Sequence, residues 1–493
     1  MDKDEIISFL RQQNETLQQQ NKELLIKLDQ LQAQLNLLTH KLFGKKSERK
    51  NPPEDPNSQP PNPPRSPSGK GPNGEPKQKG RRKLPKDLPR ERVVYDLTDA
   101  EKICSCGQTK KWMGEEITEK LEIIPAKLFV QEHVRCKYGC SCGKGVTIAK
   151  MPELPIDKGI PGAGLLADII ISKYQDSMPL YRQMQRFKRY GIEISDNTMC
   201  GWIADCAFMF EPIVAEKRKD LLNSLKIHSD DTPVPVMSKG KTRQGRLWVY
   251  ATDGVNTPAC TIYEYTRTRA QTGPVNFLKN YRGYLQADAY SGYDKLYKNG
   301  DIIEVGCMAH SRRKFHEVSI AAKGDSSVDP VLDMIGKLYD IEREAKEMTD
   351  ERRRHYRRKH AKPILKRIKR YINKLELSLI PKTPIANAVQ YMQNQWRALC
   401  RYVSHGCLHI DNNFGERAMR IVAIGRKNWM FAGSDEGGKR AAIMYSILET
   451  CKQHQINPFE YLKDVLARIP NTKQQDIRSL LPYNWRPALA DKA

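Results

Sequence analysis

The stretch Lys226-Ile227-His228-Ser229-Asp230 has the pattern of a β-strand, and it ends in an aspartate. The stretch Tyr284-Leu285-Gln286-Ala287-Asp288 has the same character and the same ending. Further strands are predicted over residues 247–252, 259–265 and 302–308, and helical segments near residues 275–281 and 290–297. The two strand-end aspartates are the first candidates for a functional site.

From residue 226 onward the predicted order is strand, strand, strand, helix, strand, helix, strand. This is the order of a ribonuclease H-like sheet, in which three antiparallel strands are followed by parallel strands with covering helices. The first and fourth strands lie side by side in that fold, so Asp230 and Asp288 would be neighbours. A later helix, in the run Asn412-Asn413-Phe414-Gly415-Glu416, would cross the sheet and supply Glu416. The predicted fold class is multidomain α+β with a ribonuclease H-like α/β catalytic core.

The residues Asp230, Asp288 and Glu416 form a set that suits phosphodiester chemistry. Three carboxylates are enough to hold two Mg²⁺ or Mn²⁺ ions, because these ions keep much of their water. Two such ions activate the attacking hydroxyl and stabilise the departing oxyanion. We expect Asp230 to bridge both ions, and Asp288 and Glu416 each to complete the shell of one.

Other acidic residues compete for these roles. Asp231 adjoins Asp230, and strand alternation turns only one of the two towards the site, for which Asp230 is favoured. Asp253 is expected to be a turn residue. Asp411 could replace Glu416, but it is expected to help cap the helix. A single acidic residue near a strand end is usually only a solvated surface group, so the argument depends on the three together.

The composition favours a nucleic-acid partner. The 493 residues include 83 Lys or Arg and 58 Asp or Glu, a formal charge of +25, which suggests a polyanion such as double-stranded DNA. No stretch approaches ~20 apolar residues, so no membrane span is expected. The N-terminus does not have the pattern of a signal peptide. A cytoplasmic, nucleoid-associated protein is therefore expected, whose 12 cysteines are free thiols or metal ligands.

Residues 1–43 are predicted to form a coiled coil. Their heptads place Leu at every d position, and two of the a positions hold Asn14 and Asn21. A buried asparagine is best satisfied by its twin across a parallel two-stranded seam, so self-association to at least a dimer is expected. The alternative is an amphipathic helix packed on its own chain. The heptad positions are Ile7, Leu10, Asn14, Leu17, Asn21, Leu24, Leu28, Leu31, Leu35, Leu38 and Leu42.

Residues 44–92 are predicted to be a disordered, basic, Pro-rich linker, since residues 51–89 hold twelve prolines. Residues 93–155 are predicted to be a zinc-ribbon-like module. Its ligands would come from two Cys-x-Cys pairs, with Cys136 as a spare, and would hold one structural Zn²⁺. The alternative is a reduced hairpin without metal. The expected ligands are Cys104, Cys106, Cys140 and Cys142.

Residues 156–222 are predicted to be a helical, helix-turn-helix-like DNA-binding domain. A helix over 179–190 is broken at Gly191, and Ser195 caps a third helix that is expected to run through Trp202. Many helical bundles share this pattern, so a purely structural role is the alternative. The expected DNA contacts are Arg182, Arg186, Lys188, Arg189 and Asn197.

The core is expected to be split into residues 223–319 and 406–452, with a basic helical insertion over 320–405 and a C-terminal segment over 453–493. Residues 352–374 contain twelve Lys or Arg and no acid, which favours contact with phosphates over a merely solvated face. Pro363 is expected to break or kink this helix. Further expected DNA contacts are Arg312, Arg313, Arg417, Arg420, Arg426 and Lys427.

Four motifs carry a resemblance to a known family. The segments 228–236, 283–290, 409–418 and 426–434 resemble the acidic motifs, and their continuation, of the insertion-sequence-sixty-six family of DDE transposases. The similarity covers nearly the whole chain, although the family more often has Cys-x2-Cys pairs in the zinc region. The resemblance implies cleavage of DNA ends, their joining to a target, and companion proteins of the same element.

The run Cys307-Met308-Ala309-His310 resembles a Cys-x2-His motif of that family. It cannot complete a zinc site alone, so a structural or substrate-positioning role is expected. Two rival functions remain open at this point. One is a DNA-binding regulator without catalysis, and the other is a ribonuclease H-like nuclease or resolvase without strand transfer.

Overall fold

The computed structural model describes residues 161–487 except 239 and 323–326, the segments 128–139, 146–151, 153–156 and 159–160, parts of 12–39, and six isolated positions between 92 and 113. The chain forms two compact units, one of Met1–Lys46 with Arg135–Ala493 and one of Ser47–Val134. The expected zinc ligands and nearly all of the expected linker lie outside the described residues. In the zinc region the structure describes an antiparallel hairpin of β1 (Lys137–Gly139) and β2 (Val146–Ile148).

A mixed five-stranded sheet forms the centre of the larger unit. Its order is β5-β4-β3-β6-β7, so the first and fourth strands in the sequence lie side by side. The pairs β3–β4 and β4–β5 are antiparallel, and the pairs β3–β6 and β6–β7 are parallel. The strands are β3 (Lys226–Ser238), β4 (Lys241–Thr252), β5 (Cys260–Thr266), β6 (Gly283–Gln286) and β7 (Ile302–Val305).

Strand β3 is longer than the sequence pattern suggested, and it continues through Pro233 and Pro235. Its pairing with β6 ends at His228, and further along that side of β3 Val236 forms an isolated parallel bridge with Ala432. A proline can occupy a strand where its missing N–H faces an unpaired edge. The carbonyl of Pro235 faces that edge, because it accepts a hydrogen bond from the N–H of Ala432 at 2.8 Å.

Thirteen helices surround the sheet or form the insertion in the described part of the chain. They are α1 (Ala163–Tyr174), α2 (Leu180–Arg189), α3 (Asp196–Leu222), α4 (Thr272–Phe277), α5 (Asp294–Tyr297), α6 (Met308–Ala322), α7 (Asp329–Glu344), α8 (Asp350–Glu376), α9 (Pro384–Asn394), α10 (Trp396–Cys400), α11 (Asn413–Trp429), α12 (Asp435–Gln453) and α13 (Pro458–Arg468). Helix α11 packs on β3 and β4, and α12 packs on β5.

The third helix of the expected DNA-binding domain begins as predicted but ends much later. The side chain of Ser195 accepts a hydrogen bond from the N–H of Thr198 at 3.0 Å, and Gly191 breaks the preceding helix with φ of +75°. The expected end near Trp202 is wrong, because α3 continues to Leu222. Apolar side chains that include Phe210, Ile213 and Leu221 keep one face buried for about five more turns and outweigh Pro212.

Helix α3 is also the one helix in the described residues that is long and apolar enough to cross a membrane by length and composition. It packs instead against α12 and β5. Its Lys217 is fully buried and donates hydrogen bonds to the carbonyls of Thr261 and Ser446. These contacts are those of a core helix in a folded domain.

The insertion shares an apolar core with the parallel edge of the sheet, formed by helices α6 to α10, residues 402–410 and Val305 of β7. Buried residues along α8, among them Ile364 and Ile368, face α7 and the segment after α10. The expected break at Pro363 is wrong, since α8 is continuous from Asp350 to Glu376. Pro363 is exposed there, and the buried apolar residues that follow it hold the helix on the core.

The described positions between 12 and 39 are helical. The leucines at heptad positions among them are exposed, with 54% of the surface of Leu17 and 64% of that of Leu28 open to solvent. An apolar stripe with this exposure has no partner within the described part of the chain.

Candidate active site

Asp230 and Asp288 lie at neighbouring positions of adjacent parallel strands. His228 is paired with Gln286, and each aspartate follows its paired residue by two positions. Because parallel strands keep their register, the aspartates emerge side by side where β6 ends. The backbone N–H of Tyr290 donates to Oδ1 of Asp288 at 3.2 Å, which fixes the turn that follows the strand.

The carboxyl of Asp230 lies in a buried, negatively charged environment. Burial, together with the charges of Asp288, Glu416 and Asp231, raises the pKa of Asp230 to about 7, although the N–H of Asp231 acts in the opposite direction. Burial also raises the pKa of Asp288, against the lowering effect of His310. The structure thus brings the three acidic residues expected from the sequence into one electrostatic cluster. Such a cluster attracts cations.

Asp231 has a different role from its neighbour. Its carboxylate is only 3% exposed and forms ion pairs of 2.8 Å with Arg246 and with Arg269. Arg269 also approaches Asp288 to 3.9 Å and lies over the ring of Tyr290. Asp231 is therefore neutralised by two guanidinium groups, which leaves Asp230 as the open carboxylate of the pair.

Glu416 stands in the first turn of α11, beside two residues of α6. Nδ1 of His310 is 3.6 Å from its Oε1, and the guanidinium of Arg313 is 3.9 Å from its Oε2. Oε1 of Glu416 and Nδ1 of His310 are buried without a hydrogen-bond partner among the described residues. Burial lowers the pKa of His310, against the opposing effect of Glu416, so the ring is held neutral.

Asn412 connects the helix of Glu416 to the strand of Asp230. Its side chain donates to the carbonyl of Ser229 at 2.7 Å, and its Oδ1 lies 3.0 Å from Nδ1 of His228. Its backbone N–H donates to Sγ of Cys307 at 3.2 Å. Cys307 thus takes the structural role that we expected for the Cys-x2-His motif, while His310 faces the carboxylates.

Asp411 is found at the start of α11, as expected for a capping residue. Its Oδ1 accepts from the N–H of Asn413 at 3.1 Å, and its Oδ2 accepts from the hydroxyl of Tyr339 at 3.0 Å. These bonds occupy both oxygens. Asp411 is therefore a poorer ligand for a cation than Glu416.

A second polar cluster lies on the same face of β3, one step further from the carboxylates. Oδ2 of Asp253 lies 2.8 Å from Nζ of Lys226 and 2.9 Å from Nε2 of His409. The ring of the fully buried His228 packs against the ring of His409. Burial, with the charges of His409 and Lys226, lowers the pKa of His228 to about 3. Asp253 is thus more than the turn residue that we expected, because it holds a buried lysine and the segment before α11.

The donor atoms of the site suit a hard cation. Asp230, Asp288 and Glu416 offer carboxylate oxygens, which Mg²⁺ and Mn²⁺ prefer. Oε1 of Glu416 has no hydrogen-bond partner in the described structure. Two further groups have donor atoms within 4.8 Å of one another: His228 with Asp253 and His409, and Cys307 with His310 and Glu416. In the first group Lys226 already neutralises Asp253, and in the second the thiol already accepts from Asn412.

The residues expected to contact DNA differ in how far the fold leaves them free. Two of them are engaged within the fold: Arg186 pairs with Asp168, and Arg426 donates to Thr232 and to the carbonyl of Pro233, both at 2.8 Å. Arg312 is half-buried. The exposed members are Arg182, Lys188, Arg189, Asn197, Arg313, Arg417, Arg420 and Lys427.

Comparison with known families gives matches along most of the chain. Residues 158–440 match the model described as "Transposase IS66 family". The chain belongs to the IS66 transposase family. Residues 446–483 match the IS66 C-terminal element, and residues 101–143 match the zinc-finger binding domain of transposase IS66. Residues 30–93 match a model described as "Transposase C of IS166 homeodomain".

The family matches confirm the resemblance inferred from the motifs and support an insertion-sequence transposase that binds DNA. The zinc-finger match also supports a structural zinc in residues 101–143 of this IS66 family member. Among similar proteins are two from Sinorhizobium fredii (strain NBRC 101917 / NGR234). Uncharacterized protein y4hP is 31% identical over 431 residues, which is 83% of this chain and 78% of that protein. Uncharacterized protein y4jD is 30% identical over 418 residues, 82% and 81% of the two chains.

Proposed function

We propose that this IS66 family transposase cleaves the DNA ends of an insertion sequence and joins them to a target through Asp230, Asp288 and Glu416. The observation that carries the proposal is the convergence of the three carboxylates beside the end of β6, where Asp230 lies within β3, with the pKa of Asp230 raised by burial and by the other two charges. Like-charged carboxylates in a half-buried site are typical of a centre that works with cations.

We also propose that the sheet is ribonuclease H-like. Three antiparallel strands followed by two parallel ones, in the order β5-β4-β3-β6-β7, support this assignment. The packing of α11 across β3 and β4 supports it further, since a helix of that kind carries the third acidic residue.

In this mechanism Asp230, Asp288 and Glu416 would hold two divalent ions, Mg²⁺ or Mn²⁺. When bound, these ions supply activation of the attacking hydroxyl and stabilisation of the leaving oxyanion. Arg246 and Arg269 pair with Asp231 and so reduce the repulsion between its carboxylate and the substrate phosphate. Arg313, exposed and 3.9 Å from Glu416, is placed to contact a phosphate next to the cleaved bond.

The remaining parts of the chain support DNA handling. We propose that Cys104, Cys106, Cys140 and Cys142 hold the structural zinc, and that residues 156–222 contact the element ends through the exposed Arg182, Lys188, Arg189 and Asn197. The N-terminal coiled coil would join at least two copies, so that two ends are processed together. We propose companion proteins of the same element as further partners, and we propose the domain limits that were expected from the sequence.

The test uses end-labelled duplexes that carry the ends of the insertion sequence, with Mg²⁺ and a target plasmid. The full chain is expected to cleave the ends and to join them to the plasmid, and Asp230→Asn, Asp288→Asn and Glu416→Gln are each expected to lose both products by at least ~10³-fold. Cleavage without joining would identify a nuclease or resolvase. Binding without either product would identify a regulator.

A further inference from the structure

The insertion contains a basic groove with a cavity volume of about 670 Å³. One wall is the outer face of α8, and the other is formed by α10 and the 3₁₀ turn Arg401–Ser404. Leu365, Val403 and the half-buried Trp396 give the groove an apolar floor. We call this feature the α8 groove. Six cations line it: Lys369, whose Nζ lies 5.4 Å from the centre of the Trp396 ring, and five residues that form a row along α8, Arg354, Arg358, Lys362, Lys366 and Arg370.

These five cations recur at every fourth residue of α8. Such a row runs obliquely over a helix, with a step of about 6 Å along the axis, and covers about 24 Å in all. All five side chains are exposed, and in the described part of the chain none has an acidic partner within 4 Å. The groove therefore presents a concentrated positive charge that is not neutralised within the protein.

Two other arginines of α8, Arg353 and Arg357, form ion pairs and hydrogen bonds that stabilise the insertion. Arg357 is buried, forms an ion pair with Glu342 at 2.5 Å and donates to four backbone carbonyls. Arg353 pairs with Asp350 at 2.9 Å. The residues that hold the insertion together thus have partners, whereas the five residues of the groove do not, which points to a ligand from outside.

The α8 groove lies away from the three carboxylates. His405, on its rim, lies against Tyr284, the residue of β6 that pairs with Lys226 at the start of the parallel register. Asp288 follows four residues later, about 13 Å further at the usual rise of a strand. A DNA segment held at the carboxylates would therefore leave the groove free for another stretch of backbone.

We infer that the α8 groove binds the sugar–phosphate backbone of DNA outside the segment that is cleaved. A row of cations along one wall suits the regular charges of a DNA strand, and the apolar floor with Trp396 suits its sugars and bases. An acidic protein segment is the other polyanion to consider, but its charges are not repeated at a fixed spacing along the backbone as phosphates are. The inference rests on the proposed function only in taking DNA as the partner.

The test compares two triple variants in the full-length chain with Asp230→Asn, so that binding is measured without cleavage. The groove variant is Lys362→Gln with Lys366→Gln and Arg370→Gln. The control is Arg352→Gln with Lys359→Gln and Lys374→Gln, which removes the same charge from exposed positions of α8 outside the groove. Circular dichroism and thermal unfolding are used to check that both variants are folded.

Fluorescence anisotropy with a labelled 40-base-pair duplex is recorded as a function of salt. The groove variant should lose affinity by about 10- to 100-fold at low salt, and its slope of log affinity against log salt should fall by about 2 to 3, since each phosphate contact contributes about 0.9. The control should stay within about 2-fold of the parent. Equal losses in both variants, or no loss in either, would overturn the inference.

Two further arms separate the alternatives. A polyglutamate competitor that displaces DNA from the parent but no longer from the groove variant would overturn the inference in favour of an acidic protein partner. Cleavage is assayed separately in the chain with Asp230 intact. If no cleavage occurs but the groove variant alone loses duplex affinity, the proposed catalysis fails and the groove assignment stands.

Discussion

Asp230 and Asp231 are adjacent in the sequence, yet their surroundings make them different chemical groups. Asp231 is held by Arg246 and Arg269, whereas Asp230 faces other carboxylates. Strand alternation explains why only one can face the site, but the sequence alone does not reveal the two arginines. Arg269 lies in the loop after β5, where no periodic pattern marks its direction.

This difference predicts opposite effects on stability. Because the pKa of Asp230 is raised from 3.8 to about 7, its contribution to stability is present at low pH and is lost as the pH rises to 7. Asp230→Asn should therefore stabilise the metal-free chain at pH 8, by up to about 4 kcal/mol. Asp231→Asn should instead destabilise it by about 1–3 kcal/mol, because two arginines lose their partner. Urea unfolding in the presence of a chelator measures the free energy of unfolding of both variants. Changes of the same sign in the two variants would contradict the different roles assigned to Asp230 and Asp231.

Asn412 gives a second prediction at this scale. Asn412→Ala removes the bonds to Ser229 and His228 and lets the start of α11 shift against β3. A displacement of Glu416 by about 1 Å should lower the rate of single-turnover cleavage by about 10²-fold. Duplex affinity should be unchanged, because Asn412 is fully buried.

The control for Asn412→Ala is Asn428→Ala, in the last turn of the same helix, for which wild-type cleavage is expected. A loss of DNA affinity equal to the loss of rate would indicate unfolding of the region and not misplacement of Glu416. No residue pattern marked Asn412 as a positioning residue, although it directly follows Asp411 and lies four residues before Glu416.

At the scale of elements, pattern reasoning located the strands of the sheet and missed several of their ends. Strand β3 was expected to end at Asp230, but it continues through Pro233 and Pro235, which face an edge that β6 leaves unpaired. Helices α3 and α8 likewise continue through a proline, Pro212 in α3 and Pro363 in α8. In each case buried apolar side chains on both sides of the proline outweigh the lost backbone bond.

Strand β5 contains a buried carboxyl that makes folding sensitive to pH. Burial raises the pKa of Glu264 from 4.5 to about 7, against the effect of Arg218, and its Oε2 has no partner in the described structure. Its contribution to stability is full below pH 4.5 and is lost as the pH approaches 7. Glu264→Gln should therefore raise the free energy of unfolding by up to about 3 kcal/mol at pH 8 and by much less at pH 5.

Urea titrations at the two pH values check this expectation. Glu436→Gln, on an exposed position of α12, serves as the control and should leave the difference between the two titrations unchanged. An equal gain from Glu264→Gln at both pH values would show that the carboxyl is not protonated in the native state.

At the scale of the whole molecule, the chain joins a sheet with acidic residues, a basic insertion and an N-terminal helix with exposed leucines. The charge of +25 is not spread evenly, since α8 alone carries the row of five unpaired cations. Two copies joined by their N-terminal helices would hold two DNA segments at a high effective concentration.

The heptad repeat therefore predicts a dependence on self-association. Leu24→Asp with Leu28→Asp places charges on the exposed apolar stripe and should convert the chain to a monomer in analytical ultracentrifugation. Joint cleavage of two ends should fall strongly, while the affinity for a single end changes little. Glu15→Asp with Glu23→Asp, outside the heptad seam, is the matched control. A variant that stays dimeric would contradict the coiled coil.

The sequence by itself determined the order of the strands, the three candidate acidic residues, the caps of the helices and the family. These features depend on local periodicity and on short motifs, which the order of residues records directly. Only the tertiary structure decided which aspartate is neutralised, how Asn412 ties two distant segments together, and which cations of α8 remain unpaired. Those properties depend on contacts between residues far apart in the chain, and such contacts exist only once the sheet and the insertion have folded.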